Sequence, residues 1–288
     1  MADASFAFPP KRPPFPFPIT CGASLIGSYA FYFWDPDFGL AGSGVFSAQP
    51  TAHLPGGPCT SDVTGGVISC NADGNEYLSE IEDGEVSLFG GEGTMYFITT
   101  SDEICGLEPS IEFDVALVSG GNTVLLNTNG SQYVLGDEEE PNAGYDTFLR
   151  GRAYNASQSE ILVGCYNLSF WAADGATVGN CSLCFGPPPG SSGAVTSADC
   201  QCNSDETEFS SAIASGEYFL ESDGAGILYV ETSGGDICGF TPYLEFDINL
   251  ANGGATIVGN CDGVENIING TEPNTGYDLP CAFEGYRY

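Results

Sequence analysis

The chain has 288 residues, of which 39 are acidic and 5 basic, a formal net charge of −34. Such a balance excludes a phosphate-backbone partner and disfavours anionic membranes, because both need Lys and Arg to neutralise them. Gly 40 and Pro 18 are too many for a helical protein, while an apolar fraction of 42% still allows packed cores.

Residues 1–20 form an arm with its own character. Ser5-Phe-Ala-Phe-Pro-Pro-Lys-Arg-Pro-Pro-Phe-Pro-Phe-Pro18 sets Phe6, Phe8, Phe15 and Phe17 in i, i+2 pairs. Proline forbids helix and keeps the segment extended, so each pair projects to one face. The arm carries Lys11, Arg12 and Asp3, net +1, whereas the remainder holds 38 acidic and 3 basic residues, net −35. Lys11 is the only lysine of the chain. An extended aromatic segment of this kind needs a groove or a sheet edge to cover it, so Phe6, Phe8, Lys11, Arg12, Phe15 and Phe17 are the candidate assembly interface. The N-terminus lacks the apolar stretch of a signal peptide, so a secreted chain is expected to have lost its leader before this numbering.

From residue 21 the chain repeats itself. Ile104-Cys-Gly-Leu-Glu-Pro-Ser-Ile-Glu-Phe-Asp114 returns as Ile237-Cys-Gly-Phe-Thr-Pro-Tyr-Leu-Glu-Phe-Asp247. Glu140-Pro-Asn-Ala-Gly-Tyr-Asp146 returns as Glu272-Pro-Asn-Thr-Gly-Tyr-Asp278, and Cys70-Asn-Ala-Asp as Cys202-Asn-Ser-Asp. The only two tryptophans, Trp34 and Trp171, align as well. Order and spacing hold throughout, which is the mark of a duplicated unit. Residues 21–153 form the first β-domain and 154–288 the second.

Within each copy the apolar period is two. In chain order the strand candidates are Tyr29–Trp34, Thr94–Thr99, Ile111–Leu117 and Thr123–Leu126, then Ile227–Val230, Leu244–Leu250 and Ala255–Val258. Turn residues such as Gly90-Gly-Glu-Gly93 and Ser119-Gly-Gly121 separate them. No stretch carries a helical period long enough for a crossover, so an all-β fold of two tandem antiparallel barrels or sandwiches follows, with about eight strands per copy. The Gly-x-Tyr-x-Phe opening, a central Gly-x-Gly-x-x-Tyr strand and a late Gly-Gly-x-x-Val strand resemble a repeated β-domain of uncharacterised secreted bacterial proteins. That resemblance implies an all-β extracellular domain and no known activity.

Twelve cysteines and a single histidine, His53, favour disulfides in an oxidising compartment over metal binding. Cys70 and Cys105 match Cys202 and Cys238, so 70–105 and 202–238 are the expected bridges. The other eight allow 105 connectivities and stay unassigned. Cys181-Ser-Leu-Cys184 has redox or zinc spacing, with Cys200-Gln-Cys202 as a second ligand pair, but structural disulfides are the ordinary reading. Asp35-Pro-Asp37, Asn71–Glu76, Asp137–Glu140 and Asn203–Glu206 hold enough oxygen for weak calcium binding, yet none has the full calcium-loop pattern. Sequons begin at Asn129, Asn155, Asn167, Asn180 and Asn269. No nucleophile signature accompanies His53, and no cofactor motif is present, so an enzyme is not expected. Trp34 and Trp171 are expected in the core, or else around a barrel mouth. These features together point to a secreted structural or adhesive subunit that assembles head to tail with its own copies through the arm, forming a filament or surface layer. A barrel that binds a small molecule or carbohydrate is the alternative.

Overall fold

A computed structural model of the chain describes residues 24–35, 40–51, 58–72, 75–100, 110–118, 121–127, 150–156, 161–172, 177–186, 192–204, 207–233, 243–261 and 281–288. It is all-β. The first copy supplies β1 Gly27–Asp35, β2 Leu40–Pro50, β3 Cys59–Ala72, β4 Asn75–Phe89, β5 Glu92–Thr99, β6 Ser110–Val118, β7 Thr123–Asn127 and β8 Arg150–Asn155. The second supplies β9 Gly164–Ala172, β10 Thr177–Phe185, β11 Ser192–Ser204, β12 Thr207–Leu220, β13 Ala225–Thr232, β14 Tyr243–Ala251, β15 Thr256–Cys261 and β16 Cys281–Arg287. Each strand pairs antiparallel with its neighbours in sequence, and β1 with β8 and β9 with β16 close two eight-stranded barrels. Closure removes the unpaired sheet edges that open sandwiches must protect.

Alternation builds the interiors. In β1 the odd positions Tyr29, Phe31 and Phe33 point inward and meet Phe46, Phe97 and Phe113. Phe97 sits among Phe31, Phe46 and Phe113 with ring centroids 5.5, 5.1 and 6.1 Å away. In the second barrel Phe185 lies edge-on to Tyr166 and Tyr218 at 5.7 and 5.5 Å, and Phe246 edge-on to Phe283 at 5.2 Å. Both barrels are therefore filled by their own side chains, as expected for eight strands.

Strands β2 to β4 and β10 to β12, which are not among the strand candidates of the sequence, carry many small and polar residues. Two glycines show why such strands work. A Cβ on Gly42 would lie 2.4 Å from the Phe33 ring, and one on Gly179 would lie 2.1 Å from the Phe170 ring. The missing side chains make room for the aromatic on the adjacent strand. At Gly90 and Gly91 both φ angles are positive, 68° and 93°, as a two-residue hairpin turn between β4 and β5 requires.

All nine cysteines among the described residues are disulfide-bonded. Cys181 on β10 bridges Cys200 directly opposite on β11, inside the barrel, and Cys184 bridges Cys165 on β9, on its outer face. The C-x-x-C pair is thus divided between two faces and two bridges, the expected disulfides rather than the zinc alternative. Cys261 bridges Cys281 and ties the end of β15 to the start of β16. Cys59, Cys70 and Cys202 are also bonded, but Cys105 and Cys238, the expected partners of the last two, lie outside the described residues.

Replacing Cys181 and Cys200 together by alanine should cost about 3 kcal/mol, because the bridge closes a 19-residue separation. Chemical denaturation of the variant against the parent measures this; an unchanged midpoint would mean that the paired strands already constrain the unfolded chain.

Candidate functional site: the seam between the barrels

The even positions of β1 point away from the first barrel. They are Ala30 and Tyr32, both buried, and Trp34, which is half-buried. With Ala41 and Tyr154 they pack against Ala251, Val258 and Ala282 of the second barrel. Trp34 and Trp171 stack at 5.6 Å and 12°, and Tyr32 stacks on Trp171 at 6.2 Å. The tryptophans thus occupy neither a barrel core nor a barrel mouth. They join the outer faces of two barrels.

A carboxylate is buried beside them. Glu284 is 8% exposed. Tyr32 and Tyr154 donate their hydroxyls to its Oε2 at 2.9 and 2.8 Å, and Arg152 Nη1 donates to Oε1 at 3.0 Å. Tyr154 has only one proton, which goes to Glu284, so Tyr286 donates in turn to Tyr154 at 2.9 Å. Burial, and then the Glu284 charge, drive the Tyr32 hydroxyl pKa well above its usual range. Burial does the same for Tyr154, with the Tyr286 hydrogen bond next.

The repeat gives this cluster a simple logic. Trp34 pairs with Arg150 and Tyr32 with Arg152 in the first barrel, and Trp171 with Ala282 and Ser169 with Glu284 in the second. Since Trp34 and Trp171 are equivalent, so are Arg152 and Glu284, and so are Tyr154 and Tyr286. Equivalent positions of the two copies meet each other. At one of them the copies carry opposite charges, where two like charges would repel at close range.

Further along the seam the contacts are neutral or singly acidic. Ser43 donates to Asn260 Oδ1 at 2.5 Å, Asn249 donates to Ser43 at 3.2 Å, and Ser69 donates to Asp247. Two depressions lie beside them. One, of about 440 Å³, is lined by Ser28, Val45, Thr64, Val67, Glu80 and Asp223 among others. The other, of about 310 Å³, is lined by Val45, Val67, Leu78, Asp223, Ile227 and Asp247 among others.

Of the residues singled out in the sequence, the arm with Phe6, Phe8, Lys11, Arg12, Phe15 and Phe17 lies outside the described residues, as do His53, Asn129, Asn269 and both Glu-Pro-Asn-x-Gly-Tyr-Asp segments. Asn167 is exposed on β9, and Asn155 donates to Asn122 at 3.1 Å. Among the described residues no three His, Cys, Asp or Glu side chains converge as metal ligands. The seam itself was missed. Its signal was the run Tyr29–Trp34, aromatic on both faces where a half-buried strand alternates.

No protein-family profile matches the chain, and no curated protein is similar to it in sequence. Among solved structures it is similar to an AttH protein of Nitrosomonas europaea, at 8% identity and TM-score 0.30 over 94% of this chain and 99% of that one. It is also similar to kievitone hydratase of Nectria haematococca, at 8% identity and TM-score 0.27 over 91% and 89%. A third is the isotype 1 transferrin-binding protein B of serogroup B Neisseria meningitidis, at 7% identity and TM-score 0.28 over 86% of this chain. The chain spans 63% of the length of that last structure. Similarity at this level gives no reading of what the chain binds or does.

Glu284→Ala should destabilise the protein by about 2–3 kcal/mol, since it leaves two buried hydroxyls and Arg152 without their acceptor. It should also change the near-ultraviolet circular dichroism, because the chain's two tryptophans are the stacked pair; an unchanged spectrum and midpoint would remove the cluster from any role in holding the barrels. A second outcome concerns alkali. The folded Tyr32 and Tyr154 pKa values lie above the unfolded value of about 10, so their contribution is complete below pH 10 and is lost as pH rises above it. Stability should fall by about 1.4 kcal/mol per pH unit per tyrosine from pH 10 upward, and Tyr32→Phe should flatten that fall in urea titrations. An identical slope in the variant would contradict the assignment.

Proposed function

We propose that the protein is a secreted, non-catalytic structural or adhesive subunit that joins its copies head to tail through the N-terminal arm. The observation that carries this reading is that both barrel interiors are filled by aromatic and aliphatic side chains. A filled barrel holds no ligand in its lumen, so recognition falls to the outer surface and to the segments that extend from it. The alternative of a small-molecule or carbohydrate-binding barrel loses its natural site.

Other features support the reading. Disulfides on every described cysteine fit an oxidising, extracellular setting. Sixteen strands closed into two bodies make a stiff unit. The arm has the chemistry of a donor: proline-rich, aromatic, free of backbone donors at its prolines, and basic where the body is strongly acidic. Its four phenylalanines, at ~25 cal/mol per Å² and about 100–150 Å² each, offer on the order of 10–15 kcal/mol before association entropy is subtracted.

Negative-stain microscopy and light scattering of the native chain should show polymer. Deleting residues 1–18, or changing Phe6, Phe8, Phe15 and Phe17 to serine, should leave the barrels folded and the protein monomeric. A native chain that stays monomeric, or a variant that still polymerises, would refute the arm as connector.

A further inference from the structure

The two depressions beside the seam share Val45, Val67 and Asp223, so they form one trough. Its apolar lining is Val45, Val67 and Leu78 from the first barrel and Ile227 from the second. Leu78 is 67% exposed and Val67 38%, adjacent apolar groups left facing water. Glu80, Glu221, Asp223 and Asp247 also line it, and no cation does among the described residues. An occupant that satisfies both carries apolar side chains and cations close together.

The chain contains such a segment. Its five cations are Lys11, Arg12, Arg150, Arg152 and Arg287. The last three lie on the closing strands β8 and β16, and Arg152 is held by Glu284. The other two sit at the middle of the arm, with Phe6 and Phe8 before them and Phe15 and Phe17 after. Four rings and two cations thus lie within one short segment, the chemistry that an apolar and acidic lining complements. The closed barrels offer no free strand edge, so a proline-rich segment has to bind through its side chains.

We propose that this trough is the acceptor, and that residues 6–17 of a second copy occupy it. The inference rests on the reading of the arm as connector. Exchange between copies is the arrangement that yields a growing chain of subunits.

Two variants test it. The first lacks residues 1–18 and keeps the trough. The second keeps the arm and carries Leu78→Asp with Asp223→Lys, both at exposed positions, with folding checked by circular dichroism. Each alone should be monomeric, and an equimolar mixture should give a dimer of one of each and nothing larger. A synthetic peptide of residues 1–18 should bind the arm-deleted chain, more weakly as salt rises, and at least about tenfold more weakly when the two trough substitutions are added. If the arm-deleted chain polymerises, the assembly reading fails. If it is monomeric but the trough variant polymerises, the arm is the connector and this acceptor is wrong. If both are monomeric and the mixture stays monomeric, the arm does not reach a neighbour's trough and the proposal is overturned.

Discussion

One carboxylate sets the relation between the two halves of this protein. Glu284 has been taken out of water between two barrels, a transfer that costs several kcal/mol for an isolated ion. Here it is met by two hydroxyls and a guanidinium, all from the other barrel. These donors come from β1 and β8, the strands that close the first barrel, and the acceptor from β16, which closes the second. Any slip of one barrel against the other would break this set of contacts together and leave a charge buried without partners. The tryptophan stack and the Ser43–Asn260 contact then follow from a geometry already fixed. The trough does too, because its walls belong to different barrels.

The rest of the architecture answers a different constraint. At −34 the chain repels itself, and its surface has few cations to relieve this. Closed barrels with aromatic interiors concentrate the favourable burial where it is not weakened by solvent, and cross-strand bridges such as Cys181–Cys200 tie neighbouring strands together. With interiors filled and edges closed among the described residues, the seam and its trough are features of the outer surface.

The fold was legible where the side-chain alternation is strong. Tyr29–Trp34, Ile111–Leu117 and Leu244–Leu250 all fall inside strands β1, β6 and β14. It was not legible in β2 or β10, where small and polar residues interrupt the pattern and the space is filled by aromatics on the adjacent strand, as Phe33 and Phe170 do over Gly42 and Gly179. Spacing alone could not choose partners for Cys165, Cys181, Cys184 and Cys200, because pairing depends on strand register, which places 181 opposite 200 and 184 opposite 165. The seam was hidden for a related reason. Arg152 and Glu284 are 132 residues apart, and their meeting depends on how two copies of one fold face each other.

The central claim is that the buried cluster at Glu284 makes the two barrels a single cooperative body. Scanning calorimetry of the full chain, with its disulfides intact, tests it directly. The account predicts one heat-absorption peak whose calorimetric and van't Hoff enthalpies agree. Two resolved transitions, or a calorimetric enthalpy about twice the van't Hoff value, would show that the barrels unfold independently and would contradict it.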